Sequence, residues 1–247
     1  FCKFKVTSDA HFVGLENYRR AFQDASFVHS FWFTALFAVI SLVLINVLAF
    51  AVAYALTQGI KGSNLYRTVF FMPNLIGGIV LGYIWSMIFD GILSRYGTSI
   101  LLNTKLGFWG LIILMCWQQI GYMMIIYIAG LQAVPEDMLE AAKIDGANRW
   151  QTIWHVTVPG LYSTFFVLLL LQISNILSNG FDQYFVFYNP LTADKLEVLD
   201  YYVYKIGVLT NNYPQSIALG MFKTIISVTL LFGANKLSQK MRGESIV

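Results

Sequence analysis

Long apolar runs separated by short charged segments organise the chain. No Asp, Glu, Lys or Arg falls between Asp24 and Lys61, between Arg67 and Asp90, between Lys105 and Glu136, or between Arg149 and Asp182. A fifth apolar stretch, 217–236, has Lys223 as its one interior charge. A helix needs roughly 20 mainly apolar residues to cross roughly 30 Å of hydrocarbon, and each run is long enough. The pattern predicts five membrane spans, at about 31–56, 65–89, 108–131, 161–180 and 216–236. Hydrocarbon offers backbone groups no water, so such runs must be helical. A β-barrel strand would alternate apolar and polar residues, and a run such as 165–171 does not. The predicted class is therefore all-α, a polytopic transmembrane helical protein.

Composition agrees. Of 247 residues, 57% are hydrophobic and 12% are charged, and the mean hydropathy is +0.62. A soluble domain carries about 25% charged residues, so an ordinary cytosolic enzyme and a disordered chain are both excluded. The formal net charge of +3 comes from scattered basic residues, which argues against a nucleic-acid binder. The chain opens Phe1-Cys2-Lys3 with no signal-peptide pattern, and an additional helix ahead of Phe1 is expected. Cys2 and Cys116 imply no disulfide framework.

Charge does not orient the spans. With the N-terminus outside, the inner segments hold seven Lys and Arg and the outer segments eight. The basic tail Lys236, Lys240 and Arg242 favours an inner C-terminus. Trp32, Trp85 and Trp109 near one set of ends, and Trp150 and Trp154 near the other, fit interfacial belts without giving a sign.

Several chemistries are absent. There is no Gly-x-x-x-x-Gly-Lys-Ser/Thr loop to cradle phosphate, so the chain is not by itself an ATPase of that class. His11, His29 and His155 lack ligand-spaced partners, and no metal site is expected. Within the second span, Gly78-Ile-Val-Leu-Gly82 reads as a close-packing face. Pro73, followed by Gly77-Gly78, predicts a kink.

The segment between the third and fourth spans is the most informative. Pro135 can open a helix whose first turn holds Glu136 and Asp137, as the helix dipole favours. The helix is short and amphipathic, Ala141-Ala142 allow close approach of another surface, and Gly146 permits a turn or C-cap. A second amphipathic piece, 149–155, ends at Pro159. By physical pattern alone, this is a surface helix at the lipid interface.

Glu140-Ala141-Ala142, then three residues, then Gly146, then nine residues, then Val156-x-Val158-Pro159, resembles the EAA motif of ABC importer permeases, with Val where Ile and Leu are usual. Phe12-Val13-Gly14-Leu15-Glu16-Asn17-Tyr18, Arg67-x-x-Phe70-Phe71-x-Pro73 with Trp85, and Gly180-Phe181-Asp182-Gln183 with Tyr201, Val203 and Tyr204 are similar to the carbohydrate-uptake, maltose-type permeases of that family. The resemblance implies a MetI-like permease fold with six core helices, the first ahead of Phe1. It implies that Glu140, Ala141, Ala142, Asp145, Gly146 and Pro159 couple the chain to a cytoplasmic ATPase, which places their loop inside. The organisation expected is an extracytoplasmic segment at 1–30 and a transmembrane domain at 31–236. The latter has a coupling loop at 132–160 and outer loops at 90–107 and 181–215, and a cytoplasmic tail follows at 237–247. Implied partners are a second permease subunit (a heterodimer), two ATPase subunits that hold ATP and Mg, an extracytoplasmic sugar-binding lipoprotein and membrane lipid. The chain itself needs no cofactor and belongs in the bacterial cell membrane.

Polar side chains inside spans are costly and face a cavity or a partner helix. Gln172, Asn175 and Asn179 fall on one helical face, and Gln118 and Gln119 lie mid-span with Tyr122 one turn beyond Gln118. Amides pair with sugar hydroxyls and rings stack on sugar faces. In maltose-type permeases, positions at similar offsets line the sugar site. Either these amides line a pathway or they join helices at about 1 kcal/mol each. Asn46 and Lys223 read as packing or partner contacts. Amino-acid and peptide permeases share the central motif, so the loop leaves cargo open. An ion-coupled secondary transporter would need intramembrane carboxylates, and a membrane enzyme would need a catalytic constellation; the predicted spans carry neither.

Overall fold

The computed structural model describes residues 2–3, 11–178 and 180–242. Among the described residues there are thirteen α-helices, and the one sheet is the two-residue antiparallel pairing of β1 (Cys2–Lys3) with β2 (His11–Phe12). After α1 (Glu16–Gln23), three helices are long and apolar enough to cross a membrane: α2 (Ala25–Thr57), α5 (Thr104–Gln132) and α13 (Tyr213–Arg242). At 1.5 Å per residue the 33 residues of α2 measure about 50 Å, more than the hydrocarbon needs. It starts earlier than expected because Asp24 caps it, with the Ser26 N–H donating to Asp24 Oδ1 at 2.8 Å.

The other two predicted spans are broken helices. The second consists of α3 (Ser63–Phe71), a 3₁₀ turn Met72–Leu75 and α4 (Gly78–Leu93). The interruption falls where Pro73 withdraws a backbone donor, so the expected kink is a complete break. The fourth begins with α7 (Arg149–Thr152), a π-helical turn Ile153–Thr157 and α8 (Val158–Gly160), then bends 62° into α9 (Tyr162–Ser174). Helix α9 stops at Ser174, short of the predicted end at residue 180. The remaining helices are α6 (Glu136–Ile144) in the expected coupling loop and α10 (Phe181–Phe187), α11 (Pro190–Leu196) and α12 (Leu199–Tyr204) in the expected outer loop.

The chain divides into two compact units. The first comprises Phe1–Ser41, Ile76–Cys116 and Asn175–Thr229. Its core gathers Ala21, Phe27, Leu199, Tyr202 and Leu219. Helix α10 lies along the glycine face of α4: a Cβ on Gly78 would stand 2.7 Å from Asp182 Cβ, and one on Gly82 would stand 3.0 Å from Val186 Cβ. The Gly78–Gly82 pattern is thus a packing face, as read. Polar ties fix α12 to its surroundings. The Tyr202 hydroxyl donates to Asp24 Oδ2 at 2.6 Å, and the Leu199 N–H donates to Thr34 Oγ1 at 2.7 Å. Lys205 pairs with buried Glu197 at 2.5 and 2.8 Å, and Lys223 pairs with Asp200. Burial, and then the Asp24 carboxylate, raise the Tyr202 hydroxyl well above the usual phenol range, so it remains a donor.

The second unit comprises Leu42–Leu75, Trp117–Ser174 and Leu230–Val247. There Gly121 of α5 meets the backbone of α3, where a Cβ would clash with the Phe70 carbonyl oxygen and stand 2.7 Å from Phe71 Cα. Only a residue without a side chain allows that approach. This unit holds the whole expected coupling loop.

Candidate functional site

Helix α6 owes its limits to local chemistry. It starts after Pro135 with Glu136 and Asp137 in its first turn, and Lys143 lies in its last. Its end is a Schellman cap. Gly146 adopts φ +76°, its N–H donates to the Lys143 carbonyl at 3.1 Å, and the Ala147 N–H donates to the Ala142 carbonyl at 2.9 Å. The chain restarts at once. Asn148 caps α7 through a reciprocal box, Gln151 N–H to Asn148 Oδ1 at 2.9 Å and Asn148 N–H to Gln151 Oε1 at 2.7 Å. The Asn-x-x-Gln spacing carried that signal, and the sequence reading passed over it.

The result is a short helix with both ends tied down. Glu140, Ala141, Asp145 and Gly146 are exposed, as are Met138, Ile144, Trp150 and Trp154. Ala142 and Leu139 turn inward. Among the described residues Glu140 has no ion pair. An uncompensated carboxylate beside a side-chain-poor Ala–Ala ridge, rimmed by exposed apolar side chains, has the character of a docking surface rather than a folded edge. Pro159 is exposed as well. It sits at the far end of the π-helical turn, where the Val158 N–H reaches back to the Ile153 carbonyl. A proline ring crowds the carbonyl four residues before it, and the wider turn relieves that conflict. Pro159 therefore shapes the bend that leads from the loop into α9.

Of the predicted pathway residues, Gln172 is tied to a neighbouring helix. Its Oε1 accepts from Asn46 Nδ2 at 2.6 Å. Asn46 Oδ1 in turn accepts from the Tyr127 hydroxyl at 2.8 Å. This triad joins α2, α5 and α9, and Asn46 is a packing residue, as expected. The helical face drawn through Gln172, Asn175 and Asn179 is corrected: α9 ends at Ser174, Asn175 lies in the following turn, and Asn179 lies outside the described residues. On α5, Gln118 and Gln119 are half-buried and Tyr122 is exposed. The Gln118 carbonyl accepts from Asn74 Nδ2 at 3.4 Å, so the turn after Pro73 reaches this stretch of α5. Asn74 was missed because its approach follows from Gly121, a tertiary contact. Lys223, paired with Asp200, is already neutralised. No group of three or more His, Cys, Asp or Glu placed to hold a metal occurs among the described residues.

Comparison with known proteins bears on this arrangement directly. Residues 58–243 match the family model "Binding-protein-dependent transport system inner membrane component". The chain is 43% identical over 172 residues to the "Probable starch degradation products transport system permease protein AmyD" of Thermoanaerobacterium thermosulfurigenes, a match spanning 66% of the chain and 59% of that relative. It is 30% identical over 233 residues to the sn-glycerol-3-phosphate transport system permease protein UgpA of Agrobacterium fabrum, spanning 90% and 78%. The fold is that of a permease chain in the crystal structure of a bacterial alginate ABC transporter in complex with an alginate pentasaccharide-bound periplasmic protein, with a TM-score of 0.87, 22% identity, and coverage of 95% and 85%. With a family match that runs over residues 58–243 and takes in the capped, exposed helix α6, the chain belongs to the inner-membrane components of binding-protein-dependent transport systems.

Proposed function

We propose that the chain is a permease subunit of an ABC importer that carries an oligosaccharide across the cell membrane and is driven by separate ATPase subunits. The observation that carries the reading is α6. A nine-residue helix, closed by a Schellman cap and a capping box, presents Glu140 and Ala141 to solvent in the spacing of the EAA motif. Rigid ends let such a helix transmit a push without unwinding. ATP and Mg belong on the partner, an extracytoplasmic binding protein delivers the cargo, and a second permease completes the channel. The exposed apolar stripes of α2 and α13, including Trp32, Leu36, Val39 and Val43 on one and Ile217, Met221 and Ile225 on the other, are what lipid and that second subunit would cover.

Two observations support a sugar cargo. The similar permeases carry names of starch-product and glycerol-phosphate transport, and the neighbouring fold handles alginate. The polar groups midway along α5 are neutral, Gln118, Gln119 and Tyr122, and the cation Lys223 is committed to Asp200. A neutral polyhydroxylated ligand suits such a lining better than a zwitterion, whose charges need fixed partners.

The test is uptake of labelled oligosaccharides, neutral and uronate, by cells carrying the importer with Gln119→Leu and Tyr122→Leu together. We expect uptake of the neutral sugar to drop by about tenfold or more, about one lost hydrogen-bonding or stacking contact to the cargo. ATPase association is expected to be unchanged. Normal uptake would return these residues to packing roles, and robust uptake of an amino acid would replace the cargo.

A further inference from the structure

Two cavities in the second unit have lining residues that follow one another along the same helices. One, of about 530 Å³, opens at the ends of α2 and α5 and is lined by Tyr54, Thr57, Gln132, Lys143, Arg149 and Thr152 among others. The other, of about 330 Å³, lies further into the same spans and is lined by Asn46, Phe50, Tyr127, Trp154, Val158 and Phe165 among others. Asn46, Phe50, Tyr54 and Thr57 fall on one face of α2, and Tyr127 precedes Leu131 by one turn of α5. The Phe50 ring of the inner cavity packs on Tyr54 of the outer at 6.1 Å and on Tyr127 at 6.0 Å. Thr157 lines the outer cavity and its neighbour Val158 the inner. The two therefore adjoin.

Their chemistries differ in the order that a membrane dictates. The outer cavity has two cations and no carboxylate in its lining. Neither Lys143 nor Arg149 makes an ion pair among the described residues. Glu140 and Asp145 of α6 do not line it, whereas Leu139 and Lys143, one turn apart, do. The inner cavity is walled by aromatic and aliphatic side chains inside segments long and apolar enough to span. A basic pocket at the ends of two spans, continued by an apolar groove between them, complements a molecule with an anionic head and a hydrocarbon tail.

We propose that this paired cavity binds one anionic phospholipid. Lys143 and Arg149 receive the phosphate and headgroup, and an acyl chain lies along Phe50, Tyr127 and Phe165. Because Lys143 belongs to α6 and Arg149 begins α7, the headgroup bridges the two helices of the loop that carries Glu140. Bound lipid then braces that loop against α2 and α5.

The assembled importer, purified in detergent, is titrated with phosphatidylglycerol and with phosphatidylcholine of the same acyl chains, and bound lipid is read by native mass spectrometry. Phosphatidylglycerol is expected to bind more tightly. The double variant Lys143→Gln/Arg149→Gln is expected to weaken it about 30-fold, roughly fivefold per cation, with phosphatidylcholine unchanged. Lys143→Arg/Arg149→Lys retains charge and is expected to bind normally, which separates loss of the site from loss of fold. Lys236→Gln/Lys240→Gln is expected to have no effect. For the acyl half, Val47→Trp, which fills the inner cavity's wall, lowers phosphatidylglycerol binding, and brominated acyl chains quench emission that disappears in Trp154→Phe. Equal binding of the two lipids, or an unchanged double variant, overturns the proposal. So does competition by glycerophosphoglycerol as strong as by the intact lipid, which would mark an anion site with no role for the groove. Absence of lipid because a partner subunit fills the cavity also overturns it.

Discussion

Single residues in the coupling loop have separable duties. Glu140 is exposed and makes no ion pair among the described residues, so its charge is available to a partner without serving the fold. Glu140→Lys is expected to leave melting of the purified chain unchanged and to abolish transport-linked ATP hydrolysis; hydrolysis that still responds to the binding protein would refute the docking assignment. Gly146 shapes the turn that closes α6. Nothing lies within 4 Å of where its Cβ would stand, and the obstacle to a side chain is φ +76°. Gly146→Ala is expected to cost about 1 kcal/mol, read as faster hydrogen exchange at the Ala147 amide, with Gly146→Asn milder. Asp200 and Lys223 are a third case. Their side chains are 18% and 14% exposed and face each other. Lys223→Met leaves a nearly buried carboxylate without its cation and is expected to destabilise by up to about 3 kcal/mol. Adding Asp200→Asn is expected to recover most of the loss in thermal melts, which an independent role for Lys223 in cargo binding would not predict.

Between elements, close approach decides tolerance. Gly77 and Gly78 are adjacent, yet an added Cβ at Gly77 meets nothing within 4 Å, while one at Gly78 meets Asp182 Cβ at 2.7 Å. Gly78→Ala must displace α10 and is expected to destabilise by about 1–3 kcal/mol, whereas Gly77→Ala is expected to be neutral. Equal melting temperatures for the two variants would mean that α10 does not pack on α4 as described. The glycine spacing was legible in the sequence, because small residues four apart line one helix face. Its partner was not, because α10 lies in a loop whose helical turn is short and whose docking depends on contacts about a hundred residues away in the chain. The end of α9 was illegible for a related reason. The apolar run continues through Ile176 and Leu177, so hydropathy extends the helix to residue 180, but the chain leaves the helix at Ser174 and enters α10 through Gly180 at φ +93°. A period of 3.6 can be counted only if the helix persists.

For the whole molecule, energy source is the decisive property. No phosphate-cradling loop occurs in the sequence, and the predicted spans hold no Asp or Glu. Uptake is expected to survive an uncoupler while ATP is maintained and to stop when the partner ATPase loses its catalytic carboxylate. Uptake that follows the proton gradient would assign a secondary transporter instead. The sequence by itself determined the helical class, the five apolar segments and an interruption at Pro73, because each follows from local hydropathy or backbone chemistry, and fixed spacing singled out the loop that carries α6. Only the tertiary structure decided what the intramembrane polar groups do. Asn46, Gln172 and Tyr127 satisfy one another across three helices, Lys223 is answered by Asp200, and Asn74 reaches Gln118 through the gap that Gly121 leaves. A polar side chain in hydrocarbon must find a partner, and sequence states that demand without saying which group, tens of residues distant, meets it.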